Sequence, residues 1–116
     1  MASPEIQHYE FGHIEIDGDV FHNDVIIFPD HVQTNWWREE GHSLVMSDLD
    51  TVVGAGVKQL IIGQGANGRM SVPADILRSL EMAGIEVRAV RTPDAVDLYN
   101  RLRERGDVAA ALHLTC

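Results

Sequence analysis

The chain has 116 residues, of which 45% are hydrophobic and 23% are charged, and this composition is typical of a globular protein. We expect a single domain spanning residues 1–116. The formal net charge of −9 disfavours nucleic acid and anionic membrane surfaces as partners. No apolar run approaches the ~20 residues that a membrane span needs. The single cysteine excludes a disulfide within the chain, and without a targeting segment we expect a cytoplasmic location.

The first quarter of the chain has the pattern of antiparallel strands. Apolar and polar residues alternate between residues 6 and 16. Asp17-Gly18 follows between further strand-forming residues, a sequence that is a strong signal for a hairpin turn. Residues 25–28 are apolar and are followed by Pro29-Asp30, which predicts another strand. We therefore expect an antiparallel meander here.

The rest of the chain alternates strand and helix patterns. The short apolar run at residues 60–62 predicts a strand buried on both faces in the middle of a parallel sheet. Helices are predicted from Pro73 and from Thr92, and further strands are predicted at residues 85–90 and 109–114. Two crossover units follow from this order. The predicted fold class is α/β, a three-layer α/β/α sandwich with a mixed sheet, in which the meander joins a parallel βαβαβ core.

The strand at residues 60–62 runs into a glycine-rich loop. Residues 63–68 satisfy the G-x-G-x-x-G pattern of dinucleotide-binding folds. In those folds the helix begins within the pattern, and an acid ends the next strand; here Pro73 comes later and Arg91 follows the strand. Turn geometry alone and contact with a ligand or partner therefore both remain open for the loop. Its candidate contact residues are Gly63, Gln64, Gly65, Asn67 and Gly68.

Two adjacent tryptophans and an arginine form a second candidate contact, at Trp36, Trp37 and Arg38. Neighbouring residues of an extended segment point to opposite faces, so at most one tryptophan is expected in the core. Arg38 has two interpretations: a solvated ion cluster with the acids at positions 39 and 40, or a binding edge, since arginine and tryptophan are favoured at contact hot spots. Asn100 is a further candidate, either capping a neighbouring loop or binding a ligand.

No catalytic constellation is apparent. His113 and Cys116 could supply two metal ligands, but two ligands do not make a zinc site. We expect His113 to lie in the sheet with one hydrogen-bond partner. The Gly-x-Ser-x-Gly pattern of serine hydrolases is missing from the sequence. We assign no catalytic residue, no metal and no cofactor.

Six segments together resemble one small family. They are residues 24–29, 36–38 with Gly41-His42, 60–65, 84–87, Thr92 to Asn100, and Leu112-His-Leu-Thr-Cys116. The family contains the adipogenesis-associated domain protein of animals, assembly factor 3 of mitochondrial respiratory complex I, and many prokaryotic proteins. The resemblance implies an α/β/α domain around a mixed sheet. It implies no agreed reaction, cofactor or catalytic residue, and the mitochondrial branch acts through protein contacts. We find no presequence of the kind that branch needs.

Two functions follow as hypotheses. The first is a non-catalytic binding or protein-interaction domain, assembly-factor-like, whose protein partner or small ligand contacts the two tryptophans, Arg38 and the glycine loop. On this hypothesis, substitution of Arg38 is expected to leave folding nearly intact. The alternative is a small enzyme that binds a dinucleotide or another ligand at the Gly63–Gly68 loop.

Overall fold

The computed structural model describes residues 3–116. The elements are listed here in chain order: β1 (Ile6–Glu10), β2 (His13–Ile16), β3 (Asp19–Phe21), β4 (Val25–Ile27), β5 (Val32–Gln33), α1 (Asp50–Val53), β6 (Gln59–Gln64), α2 (Ala74–Met82), β7 (Glu86–Val90), α3 (Thr92–Leu102) and β8 (Val108–His113). Short 3-10 turns precede α1 and follow α3. No helix within residues 3–116 is both long and apolar enough to cross a membrane.

The strands form two sheets. The strands β1, β2 and β3 pair in that order as an antiparallel sheet, and the larger sheet has the order β5-β4-β8-β6-β7. In the larger sheet β8, β6 and β7 are parallel, whereas β4 runs antiparallel to both β8 and β5. The predicted α/β fold with a mixed sheet is confirmed. Its antiparallel part is supplied by β4 and β5, and the meander is a separate sheet.

The predicted position of the central strand is also confirmed. Strand β6 lies between β8 and β7, and Leu60, Ile61 and Ile62 have at most 1% of their surface exposed. Alternate side chains of a strand point to opposite faces, so Leu60 and Ile62 enter one apolar core and Ile61 enters the other. An apolar run without alternation is the pattern that such double burial requires.

Each face of the large sheet is covered by a different layer. On one face the sheet packs against Val52 of α1 and against Ile76 and Leu80 of α2. On the other face it packs against Ala95 and Tyr99 of α3, together with the three-stranded sheet. The meander strand β2 buries only alternate residues, so it offers one apolar face. It therefore packs flat over the core and does not extend the edge of the large sheet.

The predicted hairpin between β2 and β3 is present. Asp17 and Gly18 both have positive φ, at 47° and 86°. Positive φ at both central residues is the geometry whose twist matches that of the flanking strands. Aspartate tolerates this conformation better than most residues, and glycine adopts it without strain.

The carboxyl ends of β6 and β8 are tied together by one threonine. The Thr92 hydroxyl accepts a hydrogen bond from the Gly65 amide at 2.9 Å and donates one to the His113 carbonyl at 2.6 Å. Thr92 is fully buried at the start of α3. The glycine loop, α3 and the exit of β8 are thereby held against one another.

Replacing Gly65 by alanine should destabilise the fold more than the same change at Gly84. Both glycines have positive φ, but a Cβ at Gly65 would overlap the main chain of Cys116 and lie 2.8 Å from His113 Cδ2, whereas a Cβ at Gly84 meets nothing within 4 Å. We expect a loss of ~1 kcal/mol for Gly84→Ala from backbone strain alone and of about 2–4 kcal/mol for Gly65→Ala. Urea unfolding measures both free energies. Equal losses would show that the loop is not tightly packed.

Candidate binding site

The mixed sheet brings two distant polar residues together. Val25 of β4 pairs with Leu112 of β8 in the antiparallel register. Asp24, just before β4, therefore lies beside His113, the last residue of β8. Arg38 reaches the same point from the segment that follows β5. We call these three residues, Asp24, Arg38 and His113, the polar cluster.

The Asp24 carboxylate is the centre of the polar cluster. Its Oδ2 lies 2.7 Å from Nη2 of Arg38 and 2.8 Å from Nδ1 of His113. Its Oδ1 accepts a hydrogen bond of 2.7 Å from the Leu114 amide. The Asp24 carbonyl also accepts a bond from the Trp36 amide at 2.8 Å. One residue thus connects β4, the exit of β8 and the segment that carries both tryptophans.

These contacts assign the protonation of the His113 ring. Nδ1 of His113 lies 3.1 Å from Nη2 of Arg38 as well as near Asp24. Arginine has only donors, and a carboxylate has only acceptors. Because Asp24 is the stronger acceptor, Nδ1–H and Nη2–H both donate to its Oδ2, and the short distance between the two nitrogens follows from this shared acceptor. The neutral ring therefore has its free lone pair on Nε2.

The same contacts keep Asp24 ionised. Burial by itself would raise the pKa of Asp24, but hydrogen bonds from His113, the Leu114 amide and Arg38, together with the positive charge of Arg38, outweigh burial and hold the pKa below its usual value. A buried carboxylate is tolerated when charged and neutral donors surround it in this way.

Arg38 is a buried residue, so its interpretation as a solvated ion cluster is wrong. Only 6% of its side chain is exposed, and its guanidinium carbon lies 4.7 Å from the centre of the Trp36 ring. Trp36 is itself buried and donates from Nε1 to the Asp48 carbonyl at 2.9 Å. Removing one partner of a buried ion pair is strongly destabilising. The expectation that Arg38 can be replaced with folding nearly intact is therefore not supported by this geometry.

Three nitrogen atoms of the polar cluster are buried without a hydrogen-bond partner among residues 3–116. They are Nε and Nη1 of Arg38 and Nε2 of His113. An unpaired buried polar atom costs about 1–3 kcal/mol. Few such atoms occur in native proteins, and they are frequently found at functional sites.

A cavity of about 270 Å³ adjoins the polar cluster. Its lining residues are His22, Asn23, Asp24, Trp37, Arg38, Gly41, His113 and Thr115. Trp37 is 76% exposed, whereas Trp36 is 2% exposed. The prediction that at most one tryptophan enters the core is confirmed, and the second one stands at the cavity.

Most backbone amides of the glycine loop donate to acceptors within the chain. The amides of Gly65, Ala66, Gly68, Arg69 and Met70 donate to Thr92, Thr115, Gly65, Cys116 and Gln64 respectively. Helix α2 begins only at Ala74. The Gln64 side chain donates to the Met70 carbonyl, and a Cβ on Gly63 would lie 2.8 Å from the Thr92 hydroxyl. Asn67 is exposed, and the loop packs against residues 113–116.

Asn100 lies away from the polar cluster. Its side-chain oxygen accepts from the Ile6 amide at 3.1 Å, and its nitrogen donates to the Ile6 carbonyl at 2.8 Å. It thereby joins α3 to the outer edge of β1, where the neighbouring Tyr99 hydroxyl donates to the Pro4 carbonyl at 2.6 Å. These bonds assign Asn100 a structural contact.

The structure thus brings together Trp36, Trp37 and Arg38 but separates them from Asn100. Asp24 and His113 were not predicted as site residues. The two residues are 89 positions apart in the chain, so no sequence motif could have shown that the Asp24 carboxylate contacts the His113 ring. The described part of the chain contains no group of three or more His, Cys, Asp and Glu side chains suited to a metal ion.

Comparison with known proteins gives a family and a fold. Residues 6–113 match the family model described as a protein of unknown function (DUF498/DUF598). A conserved hypothetical protein from Pyrococcus horikoshii OT3 is 25% identical, with a TM-score of 0.86 over 97% of this chain and 99% of that chain. A Bordetella parapertussis protein is 26% identical, with a TM-score of 0.78 over 98% of each chain. A Bordetella pertussis protein described as a Mth938-like domain is 20% identical, with a TM-score of 0.76 over 96% and 85% of the two chains.

Asp24→Asn should reduce the loss of folding free energy at acidic pH, called here the acid limb of the curve of unfolding free energy against pH. Since the folded pKa of Asp24 is lowered, the unfolded chain takes up the proton first, and the stability from ionised Asp24 is lost as pH falls below ~4. We expect Asp24→Asn to have a lower free energy of unfolding at pH 7 and a smaller further loss between about pH 4 and pH 2. Urea unfolding across this range measures the effect. The control, Asp19→Asn at an exposed position, should keep the wild-type acid limb; an unchanged limb in Asp24→Asn would contradict the assignment.

Proposed function

We propose that this chain, which belongs to the family described as a protein of unknown function (DUF498/DUF598), is a non-catalytic binding domain that contacts a protein partner. The proposed contact surface is the Trp37 corner, defined as Trp37 with the adjoining cavity. The resemblance to a respiratory-complex assembly factor supports an assembly-factor-like role, because that branch acts through protein contacts. The proposal retains a cytoplasmic location, which the acidic composition and single cysteine favour.

The exposure of Trp37 is the observation that carries this proposal. A tryptophan with 76% of its surface exposed leaves a large apolar ring in water, and tryptophan is among the residues that contribute most at protein interfaces. Its neighbour Trp36 is fixed in the core by a hydrogen bond and by the Arg38 guanidinium. The exposed ring is therefore attached to a rigid part of the chain, which lowers the entropic cost of binding.

Trp37 is also the position at which the proposal can be tested without damage to the fold. Replacing Trp37 by alanine should leave the free energy of unfolding within ~0.5 kcal/mol of wild type, because an exposed side chain makes few contacts that stabilise the fold. It should weaken the partner about tenfold or more, the usual cost of removing an aromatic hot spot. A photo-crosslinking benzoylphenylalanine at position 37 identifies the partner, and Trp37→Ala then measures the affinity.

Phe11 supplies the matched control. It is another exposed aromatic residue, at 61%, in the turn between β1 and β2. Phe11→Ala should bind the identified partner as wild type does, and a crosslinker at position 11 should not capture it. Equal capture from both positions, or unchanged affinity in Trp37→Ala, would contradict the proposal.

The nucleotide alternative makes a separate prediction. Because the amides of Gly65, Ala66, Gly68 and Arg69 already have acceptors within the chain, we expect nicotinamide and flavin nucleotides to leave the melting midpoint unchanged. A ligand bound at one hundred times its dissociation constant adds ~2.7 kcal/mol, which raises the midpoint of a domain of this size by roughly 10 °C. A shift of that size with any of these nucleotides would favour the alternative.

A further inference from the structure

We propose that the cavity beside Trp37 binds a carboxylate group, held jointly by Arg38 and by a protonated His113. This inference rests on the proposed binding function and names the chemical group that the Trp37 corner would recognise. The first observation is the set of unpaired donors on Arg38. Its Nη2 contacts Asp24 and the Gly41 carbonyl, whereas Nε and Nη1 have no partner among the described residues. Because a guanidinium has donors and no acceptors, the group that completes it must be an acceptor.

The second observation is the free Nε2 of His113. The side chain is 7% exposed, and its Nδ1–H is committed to Asp24. Asp24 thus orients the ring and leaves Nε2 as an acceptor while the ring is neutral. Protonation would turn Nε2 into a donor without disturbing the bond to Asp24. Arg38 and His113 both line the cavity, but their unpaired nitrogens are closed to solvent in the free chain, so an entering anion must shift the side chains beside it before it meets a donor from each.

Charge balance selects a singly charged group. Arg38 and Asp24 cancel one another as an ion pair, so with a neutral His113 ring the polar cluster carries no net charge. A carboxylate entering the cavity brings one negative charge into a partly desolvated site, which is costly unless a positive charge accompanies it. Protonation of His113 supplies that charge, whereas a doubly charged phosphate would remain unbalanced. Binding should therefore be coupled to the uptake of one proton.

Other titratable groups near His113 must be separated from it in any measurement. Asp24 and Arg38 touch its ring, the His42 ring centre lies 6.1 Å away, and His22 lines the same cavity. The main chain of Cys116 adjoins the His113 ring across Gly65. His22 and His42 are exposed, so their ring signals must be told apart from those of His113. Only a measurement that resolves individual rings can assign the proton.

The test is an NMR titration of the whole chain with sodium benzoate, with sodium chloride at matched ionic strength as the control. Correlation spectra of the histidine rings report the protonation of each Nδ1 and Nε2. We expect benzoate, but not chloride, to convert His113 from the neutral ring with a proton on Nδ1 to the doubly protonated ring. The affinity should fall as pH rises, by up to about tenfold per pH unit, wherever binding takes one proton from solution. A His113 ring that stays neutral throughout the titration would overturn the proposal.

Two matched substitutions test whether His113 is the histidine that contributes to benzoate binding. His113→Asn places an amide N–H near Asp24 but lacks Nε2, and we expect benzoate binding to weaken about tenfold, the scale of one charge-assisted hydrogen bond. His22→Asn makes the same change at the exposed cavity histidine, and binding should match wild type. Equal affinity of His113→Asn and wild type would overturn the proposal. If His113→Asn does not fold, the ring spectra of the wild-type chain decide alone.

The carboxylate can come from a small molecule or from a partner's polypeptide. Short peptides ending in a free carboxyl group, with amidated peptides as controls, distinguish these sources. Binding of benzoate alone assigns a small carboxylate, and tighter binding of the free-carboxyl peptides assigns a chain terminus; both outcomes support the proposal. Equal binding of amidated peptides would overturn it. If no partner is crosslinked from position 37 but benzoate binds, the protein-partner function alone is refuted. If a partner is crosslinked but benzoate does not bind, the carboxylate proposal alone is refuted.

Discussion

The Asp24 carboxylate is the interaction on which the arrangement of the site depends. It accepts hydrogen bonds from Arg38, His113 and the Leu114 amide, and these bonds join three segments: the start of β4, the exit of β8 and the segment that carries Arg38. A buried carboxylate is stable only while such donors remain, so the three segments are held as a unit. The tryptophan-bearing segment contributes no long helix or strand of its own. Its position at the sheet therefore depends on this carboxylate and on the burial of Trp36.

The mixed direction of the sheet decides where the open site lies. In an open parallel sheet, ligands bind beyond the carboxyl ends of the strands. Here the ends of β6 and β8 are closed by Thr92, Gly65 and the main chain of Cys116. Because β4 runs antiparallel to β8, the start of β4 falls beside the end of β8 and brings Asp24 to that edge. The accessible cavity is displaced toward Trp37, away from the glycine loop.

The sequence predicted features that depend on neighbouring residues and missed those that depend on distant ones. The doubly buried run at residues 60–62, the Asp17-Gly18 hairpin and the helices after Pro73 and from Thr92 each carry a local pattern, and each is present. The polar cluster has no such pattern, since His113 lies 75 and 89 positions from its two partners. The acids at positions 39 and 40 suggested a local pairing for Arg38, but the buried carboxylate of Asp24 is the partner that its guanidinium reaches.

The adjacent tryptophans show how a stable fold and an exposed contact can be combined in one short segment. Trp36 buries its ring, donates to the Asp48 carbonyl and stacks against Arg38, so its contribution is to folding. The next side chain, Trp37, is 76% exposed and is directed to solvent. Trp37 is thus attached rigidly beside the cavity that Arg38 and His113 line, which is the arrangement that the proposed binding function requires.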